Sequence, residues 1–354
     1  MGIWLKIIFG APIVLVLAVL GCRAWRQARG AKALAIRTPN GIDEAGFVPI
    51  GGIDQWVSIR GEDLANPVIV VAHGGPGSGL SPLIAETTRG WEKSFTVVNW
   101  DQRGAGLTFS RAPKGQGELS LQRIADDGLE VVARALKRTG QAKAIMLGAS
   151  WGSMVAVTMA RRRPDLFHAL VGAGQVVDSA QNEAVGYAAL LARVRAAGDA
   201  RSEAELVKLG PPPWTLRQTM VERKILIGRY PPPSERGMQT RLVLALLTAP
   251  GFSLKQALDW FAAADFSAGA LGGALFSYSD GPPYAPLAMP FVVIQGADDI
   301  QTPTSLAAAY VEAVEAPAKR FVSLPGGGHM ALVAMPDAFL QALLADVRPF
   351  ALGG

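Results

Sequence analysis

Cysteine and histidine are scarce in this sequence, whose 354 residues include one cysteine, Cys22, and three histidines. A single cysteine provides neither a disulfide framework nor a cysteine metal cluster, and no motif in the chain implies a metal or a cofactor. Charged residues are also few, at 18%, while half of the residues are hydrophobic. This balance argues against a disordered chain and predicts a globular protein with a substantial core.

The formal net charge of +5 does not indicate a nucleic-acid-binding protein. Most of the excess falls in one short stretch after the first apolar run, and the remainder of the chain is close to neutral. The stretch contains five cations, which are Arg23, Arg26, Arg29, Lys32 and Arg37. They do not alternate with aromatic side chains and no binding motif accompanies them, so we expect no nucleic-acid partner.

The N-terminal residues are apolar enough to predict a membrane anchor over 1–24. Fourteen residues without charge lie between Lys6 and Gly21. A helix over residues 2–22 would be about 31 Å long, which matches the core of a bilayer. The basic stretch that follows favours an uncleaved single-pass helix with the folded domain on the cytoplasmic side. The alternative is export, after cleavage of a signal peptide or of a lipoprotein signal that ends at Cys22.

The rest of the chain divides into a linker, a core and an insertion. Residues 25–45 are interpreted as a linker. From residue 46 to 177, β-strand and helix patterns alternate, beginning with a hairpin and continuing through "PVIVVAHGG", "FTVVNWDQRG" and "AKAIMLGAS". Residues 178–285 are helical in pattern without strands, which predicts a lid, and the alternation returns over 286–354. Such alternation predicts an α/β fold with a mostly parallel sheet covered by helices on both faces.

The stretch "LGASWG" contains a G-x-S-x-G pattern around Ser150. An apolar run precedes the serine and a helix pattern follows it, which is the strand-turn-helix setting of a nucleophilic serine. Glycines on either side remove side chains that would collide in such a tight turn. The backbone N–H of Trp151 would then lie at a helix N-terminus, where it can stabilise a developing oxyanion.

A serine hydroxyl needs a base, and the base needs an orienting carboxylate. His329 is the candidate base because it lies in the glycine-rich loop "SLPGGGHM" directly after a predicted strand. The carboxylate is predicted at the end of the strand in "VVIQGADDIQTP", where we favour Asp299 and keep Asp298 as the alternative. His168, in a helix-to-strand connection without glycine, is interpreted as structural. The order Ser, Asp, His is the one expected of an α/β-hydrolase.

The assembled residues resemble the α/β-hydrolase superfamily and, within it, the proline iminopeptidase family of serine peptidases. Three ordered motifs carry the resemblance: "HGGPG" at 73–77, "WDQRGAG" at 100–106 and "GASWGS" at 148–153. The resemblance implies Ser150 as nucleophile with Asp299 and His329 as its partners. It also implies an oxyanion hole formed by the N–H groups of Gly75 and Trp151.

Several other residues of these motifs and of the lid have predicted roles. His73 is expected to bind loop backbone and so to hold the N–H of Gly75 in place, and Asp101 and Arg103 are expected to brace their turn. Members of the resembled family hold the free amino group of the substrate with carboxylates of the lid. Candidates for that role here are Glu183 and Glu222.

Three hypotheses follow for the function. The leading one is a membrane-anchored serine hydrolase that acts through an acyl-enzyme, as an aminopeptidase that releases N-terminal proline or another small residue from a small or short-peptide substrate. The second is a carboxylesterase for small or lipid esters. The third is a catalytically silent binding protein, which the presence of all three triad residues disfavours. The oligomeric state is left open.

Overall fold

A computed structural model describes most of the chain, with side chains from Val14 onward. The described residues are 2–214, 218, 222, 225–226, 228–280 and 284–353. The strands are β1 (Ile42–Ile50), β2 (Ile53–Gly61), β3 (Val68–Ala72), β4 (Thr96–Asp101), β5 (Ala144–Ala149), β6 (Phe167–Ala173), β7 (Phe291–Gly296) and β8 (Lys319–Leu324). The helices are α1 (Gly2–Leu34), α2 (Gly106–Arg111), α3 (Leu121–Thr139), α4 (Trp151–Arg162), α5 (Ser179–Ala196), α6 (Ala200–Leu209), α7 (Met238–Thr248), α8 (Leu254–Phe276), α9 (Thr304–Ala313), α10 (Ala331–Ala334), α11 (Pro336–Asp346) and α12 (Arg348–Leu352).

The strands form one eight-stranded sheet in the order β1-β2-β4-β3-β5-β6-β7-β8. The pairs β1–β2 and β2–β4 are antiparallel, and the other pairs are parallel. The first two strands form the predicted hairpin, whose two-residue turn consists of Gly51 and Gly52 at φ values of 55° and 81°. Glycine suits this turn because other residues rarely adopt positive φ. The predicted mostly parallel sheet is therefore confirmed.

The central strands are buried on both faces because helices cover both sides of the sheet. On β3, Val68, Val70 and Ala72 pack into one apolar cluster with residues of α3 and α4. Ile69 and Val71, which point to the opposite face, pack into a second cluster with residues of α11. This alternation follows from the two-residue period of a strand, and it explains why the strands are continuous Val- and Ile-rich runs.

In the segment between β6 and β7, for which the sequence predicts a lid, the structure describes helices α5 to α8. Among its described residues no strand occurs, apart from one isolated bridge between Asp178 and Ser279. We call residues 178–285 the lid. Helix α8 joins the lid to the core, since the indole N–H of Trp260 donates to the Gly79 carbonyl at 2.9 Å and the Ser267 hydroxyl donates to the Gly104 carbonyl at 2.8 Å.

The N-terminal segment is one helix, α1, which extends from Gly2 to Leu34. Within the part of the chain that the structure describes, no helix is both long enough and apolar enough to cross a membrane. The predicted transmembrane helix over 1–24 is therefore not supported.

The segment predicted as a linker, 25–45, is largely regular structure. Helix α1 continues through it to Leu34, and β1 already begins at Ile42. Contacts distant in sequence hold the helix, because the Gln27 amide donates to the carbonyls of Ala249 and Phe252, both at 2.8 Å. Because these partners in the lid are distant in sequence, the local composition of residues 25–45 does not reveal the contacts.

The loop after β4 is fixed by a buried ion pair. The guanidinium of Arg103 donates to the Asp127 carboxylate on α3 at 2.9 Å, and both side chains are almost fully buried. The same guanidinium donates to the Gly51 carbonyl at 2.8 Å, which ties the loop to the first hairpin. Within the loop, the Asp101 carboxylate accepts a hydrogen bond from the Leu107 amide at 2.7 Å. Through these contacts Asp101 and Arg103 brace the loop, as the sequence predicts.

Replacing Arg103 with alanine should destabilise the protein, because Asp127 would lose its fully buried partner, although Arg123 would still pair with it at 2.7 Å. We expect a loss of about 1–3 kcal/mol in the free energy of unfolding, measured by urea denaturation. The matched control is Arg111→Ala, which removes an exposed ion pair with Asp54 at 3.6 Å and should change that free energy by no more than about 0.5 kcal/mol. Equal effects of the two substitutions would contradict the bracing role.

Candidate active site

Ser150 lies in a sharp turn between β5 and α4, with φ of 52° and ψ of −121°. It is the one non-glycine residue with positive φ in the described part of the chain. The neighbouring glycines are required because surrounding backbone atoms leave no room for a side chain. A Cβ at Gly148 would lie 2.3 Å from the Gly152 carbonyl oxygen, and one at Gly152 would lie 2.0 Å from the Ala72 carbonyl oxygen. The chain can therefore turn tightly here and hold the serine hydroxyl clear of the sheet, as the motif predicts.

The structure brings together the three residues that the sequence predicts as a triad. His329 Nε2 lies 2.9 Å from Ser150 Oγ, and His329 Nδ1 lies 3.0 Å from Asp299 Oδ2. Each residue follows a parallel strand, so all three meet at the carboxyl ends of β5, β7 and β8. Gly174 leaves room for the imidazole ring, because a Cβ there would lie 2.9 Å from His329 Cε1.

Of the two adjacent acids, Asp299 is the one that contacts His329. Its side chain is fully buried, whereas that of Asp298 is 43% exposed and lies 4.0 Å from Arg193. Burial acts to raise the pKa of Asp299, but the charge of His329 and hydrogen bonds from His329 and Thr302 outweigh it and hold the pKa below its usual value. Asp299 is therefore ionised at neutral pH and can stabilise an imidazolium beside it.

Thr302 is a member of this site that sequence reasoning missed. Its hydroxyl donates to Asp299 Oδ2 at 2.8 Å and lies 3.2 Å from His329 Nδ1, and its amide donates to Asp299 Oδ1 at 3.0 Å. Asp299 thus starts a turn in which its carboxylate is bound by the residue three positions later. The signal that could have revealed this arrangement is the threonine at that spacing, since aspartate commonly binds backbone in such turns.

His73 has the structural role that the sequence predicts. The ring is fully buried, and burial lowers its pKa to about 4 despite a hydrogen bond to Gly74. It is therefore neutral at pH 7. Its Nε2 accepts from the Gln102 amide at 3.1 Å, so Nδ1 carries the proton and donates to the Gly74 carbonyl at 2.8 Å. His168 lies near the amino end of β6, whereas the three triad candidates lie at the carboxyl ends of their strands.

Gln102 connects the loop after β3 to the turn that holds Ser150. Its side-chain amide donates to the His73 carbonyl at 2.9 Å, and its side-chain oxygen accepts from the indole N–H of Trp151 at 3.1 Å. All three side chains are buried. Sequence reasoning treated the surrounding "WDQRGAG" motif as a brace for its own turn and did not single out this glutamine.

The two residues predicted to form an oxyanion hole flank Ser150. Trp151 is the first residue of α4, so its N–H lies in the first turn, where amides have no partner within the helix. The loop that carries Gly75 lies against the serine, since a Cβ at Gly74 would be 3.2 Å from Ser150 Cβ. Gly75 has φ of 118°, a conformation that favours glycine. The position of both residues is compatible with the predicted role.

A lid carboxylate that sequence reasoning missed, Glu235, lies beside the loop that carries His329. Its Oε1 accepts from the Met330 amide at 2.7 Å, and a Cβ at Gly328 would lie 2.5 Å from the same oxygen. Burial raises the pKa of Glu235, although the Met330 hydrogen bond and the charge of His329 oppose the rise. Its position directly after "YPPPS", outside any helix pattern, is a signal that it is not an ordinary solvated helix charge.

The predicted lid carboxylates occupy other places. Glu183 is half-buried on α5, one turn before Gly186, which packs against the Ile300 carbonyl near the triad acid. Glu222 is buried. Their part in substrate binding stays a prediction. Across the described ranges of the chain, no group of three or more His, Cys, Asp or Glu side chains could hold a metal ion.

Comparison with known proteins gives a sequence relative that spans nearly the whole chain. A probable aminopeptidase of Bacillus subtilis, YbaC, is 27% identical over 308 residues, which cover 84% of this chain and 94% of that protein. A proline iminopeptidase of Neisseria gonorrhoeae is 29% identical over 132 residues, or 36% of this chain and 38% of that protein.

Solved structures share the fold. A proline iminopeptidase-related protein of Thermus thermophilus superposes with a TM-score of 0.60 at 21% identity and covers 87% of this chain and 99% of its own. The family model described as the alpha/beta hydrolase fold matches residues 67–334, which include the serine turn, the lid and the histidine loop. The chain therefore belongs to the α/β-hydrolase family, and the members it resembles include proteins named as aminopeptidases and proline iminopeptidases.

Proposed function

We propose that the protein is a serine hydrolase that acts through an acyl-enzyme, as an aminopeptidase that releases N-terminal proline or another small residue. The observation that carries the proposal is the continuous hydrogen-bonded chain from Ser150 Oγ through His329 to the buried carboxylate of Asp299. In this arrangement the base is within reach of the nucleophile's proton and is itself oriented by an ionised acid.

The proposed reaction has two halves. In the first, Ser150 Oγ attacks the carbonyl carbon of the substrate while His329 Nε2 takes the hydroxyl proton, and Asp299 stabilises the imidazolium that results. The imidazolium then gives its proton to the leaving amine as the bond to carbon breaks, which leaves an ester on Ser150. In the second half, His329 takes a proton from the water that attacks the ester, and gives it to Ser150 Oγ as the ester bond breaks and the free acid leaves.

The oxyanion formed in each half would be held by the N–H groups of Gly75 and Trp151. These two donors belong to separate loops, so their spacing depends on whatever joins the loops. Gln102 supplies the connection, since it binds the His73 carbonyl on one side and the Trp151 indole on the other. We therefore assign Gln102 as a positioning residue for the oxyanion hole.

The preference for a free amino terminus rests on Glu235. This carboxylate comes from the lid and is bound to the residues on either side of His329. An ionised carboxylate in such a buried position attracts an ammonium group more strongly than one in water does. A substrate with its carbonyl carbon at Ser150 would bring its amino group toward the lid, where Glu183 and Glu222 are further candidates for the same role.

The alternative function is a carboxylesterase for small or lipid esters. It is favoured by the apolar side chains that the lid exposes, among them Leu258 and Phe261 on α8. An esterase would use the same triad and oxyanion donors but would not need Glu235. A silent binding protein would have no use for a complete hydrogen-bonded triad, so we do not favour it.

Replacing Glu235 with glutamine separates the two functions. Removal of a buried charge that binds an ammonium group should lower kcat/KM for proline β-naphthylamide by about 10- to 100-fold. Hydrolysis of p-nitrophenyl acetate should stay close to wild type. In the wild type, KM for the amide should rise as the pH falls through the raised pKa of Glu235, because the carboxylate becomes neutral, and the variant should lack this rise.

The control for this assay is Glu203→Gln, which removes an exposed lid carboxylate that pairs with Arg195. It should leave both activities unchanged, and Ser150→Ala provides the blank. Ester turnover without amine release from any aminoacyl naphthylamide would reject the peptidase assignment in favour of the esterase.

The Gln102→Leu variant tests the proposed oxyanion hole. Loss of both tethers should lower kcat by at least about tenfold with little change in KM, because the two N–H donors act mainly on the oxyanion of the transition state. Titration of Ser150 with a fluorophosphonate would count the folded active sites. Gln141→Leu, which removes a hydrogen bond to the Leu64 carbonyl, is the control. A higher KM with unchanged kcat would contradict the assignment.

A further inference from the structure

Between positions 14 and 20, α1 exposes apolar side chains on every side. Six large residues between positions 14 and 20 are 45–66% exposed. They are Val14, Leu15, Val16, Leu17, Val19 and Leu20. Because successive residues of a helix point in different directions, this run leaves no polar face to meet water. A helix that is hydrophobic all round requires apolar surroundings.

Two lid helices are also apolar on both of their faces. Between α7 and α8, Leu246, Ala257 and Trp260 form a buried cluster. The outward faces of the same helices carry large apolar side chains that are 38–71% exposed, namely Val243, Leu244, Leu247, Leu254, Leu258 and Phe261. The buried cluster accounts for the packing of α7 against α8. The exposed apolar residues therefore indicate a second apolar partner.

The exposed residues of α1 and of the lid are neighbours because α1 is fastened to the lid. The Arg23 guanidinium donates to the carbonyl of Leu247 at 2.9 Å and to that of Phe252, and Gln27 binds the adjacent Ala249 carbonyl. These carbonyls lie at the end of α7 and in the turn before α8. We call the exposed apolar residues of α1, α7 and α8 together the α1–lid surface.

The charged residues that α1 brings to this surface are all positive. The first acidic residue of the whole chain is Asp43, so the cations of α1 face no acidic residue in their own segment. Arg26 and Arg29 are exposed just beyond the apolar run, and the Arg29 guanidinium lies 5.5 Å from the ring centre of the exposed Trp25. Apolar residues bordered by tryptophan and by cations match the layers of a membrane surface with anionic headgroups.

We propose that the α1–lid surface binds the surface of an anionic lipid bilayer, with α7 and α8 lying on the lipid. A second copy of the chain fits less well, because its own basic α1 would bring the same positive charge to the contact. The inner side of α8 binds the loop that follows β3 through Trp260 and the Gly79 carbonyl. The lipid would therefore lie one helix away from the predicted oxyanion loop, whichever substrate class the enzyme uses.

Co-sedimentation of the full chain with vesicles tests the proposal without reference to activity. We expect binding to vesicles of equal parts phosphatidylcholine and phosphatidylglycerol, and weaker binding to phosphatidylcholine alone or in high salt. The double variant L258D/F261D should partition at least about tenfold more weakly, because two exposed apolar contacts with lipid are lost. R26E/R29E should lose the preference for phosphatidylglycerol.

The matched control is Val207→Asp, which places the same charge at an exposed apolar position of α6. It should bind vesicles as the wild type does, and thermal unfolding would show that all variants are folded. Wild-type partitioning by L258D/F261D, or no binding by the wild-type chain, would overturn the proposal. So would a dimer in solution that L258D/F261D converts to a monomer, since a second copy would then be the partner.

Discussion

The strained backbone of Ser150 is the constraint on which the rest of the site depends. A positive φ at a residue with a side chain is unfavourable and persists only where the surroundings enforce it. Here the packing of α4 against the ends of β3 and β5 enforces it, and this packing tolerates no side chain at Gly148 or Gly152. The turn projects Ser150 Oγ toward His329 and places the Trp151 amide at the start of α4.

Around this turn, buried polar groups fix the positions of the loops relative to one another. His73 and Gln102 connect the loop after β3 to the Ser150 turn, and Arg103 and Asp127 connect the next loop to α3. These groups are hydrogen-bonded to one another, which offsets the cost of their burial. The parallel sheet supplies the framework. The carboxyl ends of its strands lie side by side, so the residues that follow them, Ser150, Asp299 and His329, come together.

Local patterns were sufficient to predict the sheet, the hairpin and the grouping of Ser150, Asp299 and His329. The glycines that allow the turn at Ser150 and the loop at His329 are close to these residues in sequence, so a local pattern reveals both. Glu235 and Gln102 were not singled out, because their roles arise from contacts with residues far away in sequence, such as Met330 and Trp151. The extension of α1 through the predicted linker has the same cause, since contacts with the lid over two hundred residues away hold it.

The most direct test of the central claim is the rate at which a fluorophosphonate labels Ser150, with peptide mapping to identify the labelled residue. Asp299→Asn should slow labelling by about 10³- to 10⁴-fold, because the imidazole loses the ionised partner that orients it. Asp298→Asn, one position away and partly exposed, should label at nearly the wild-type rate. Labelling at another residue, or equal rates for the two variants, would contradict the assignment of Ser150, His329 and Asp299 as a functional triad.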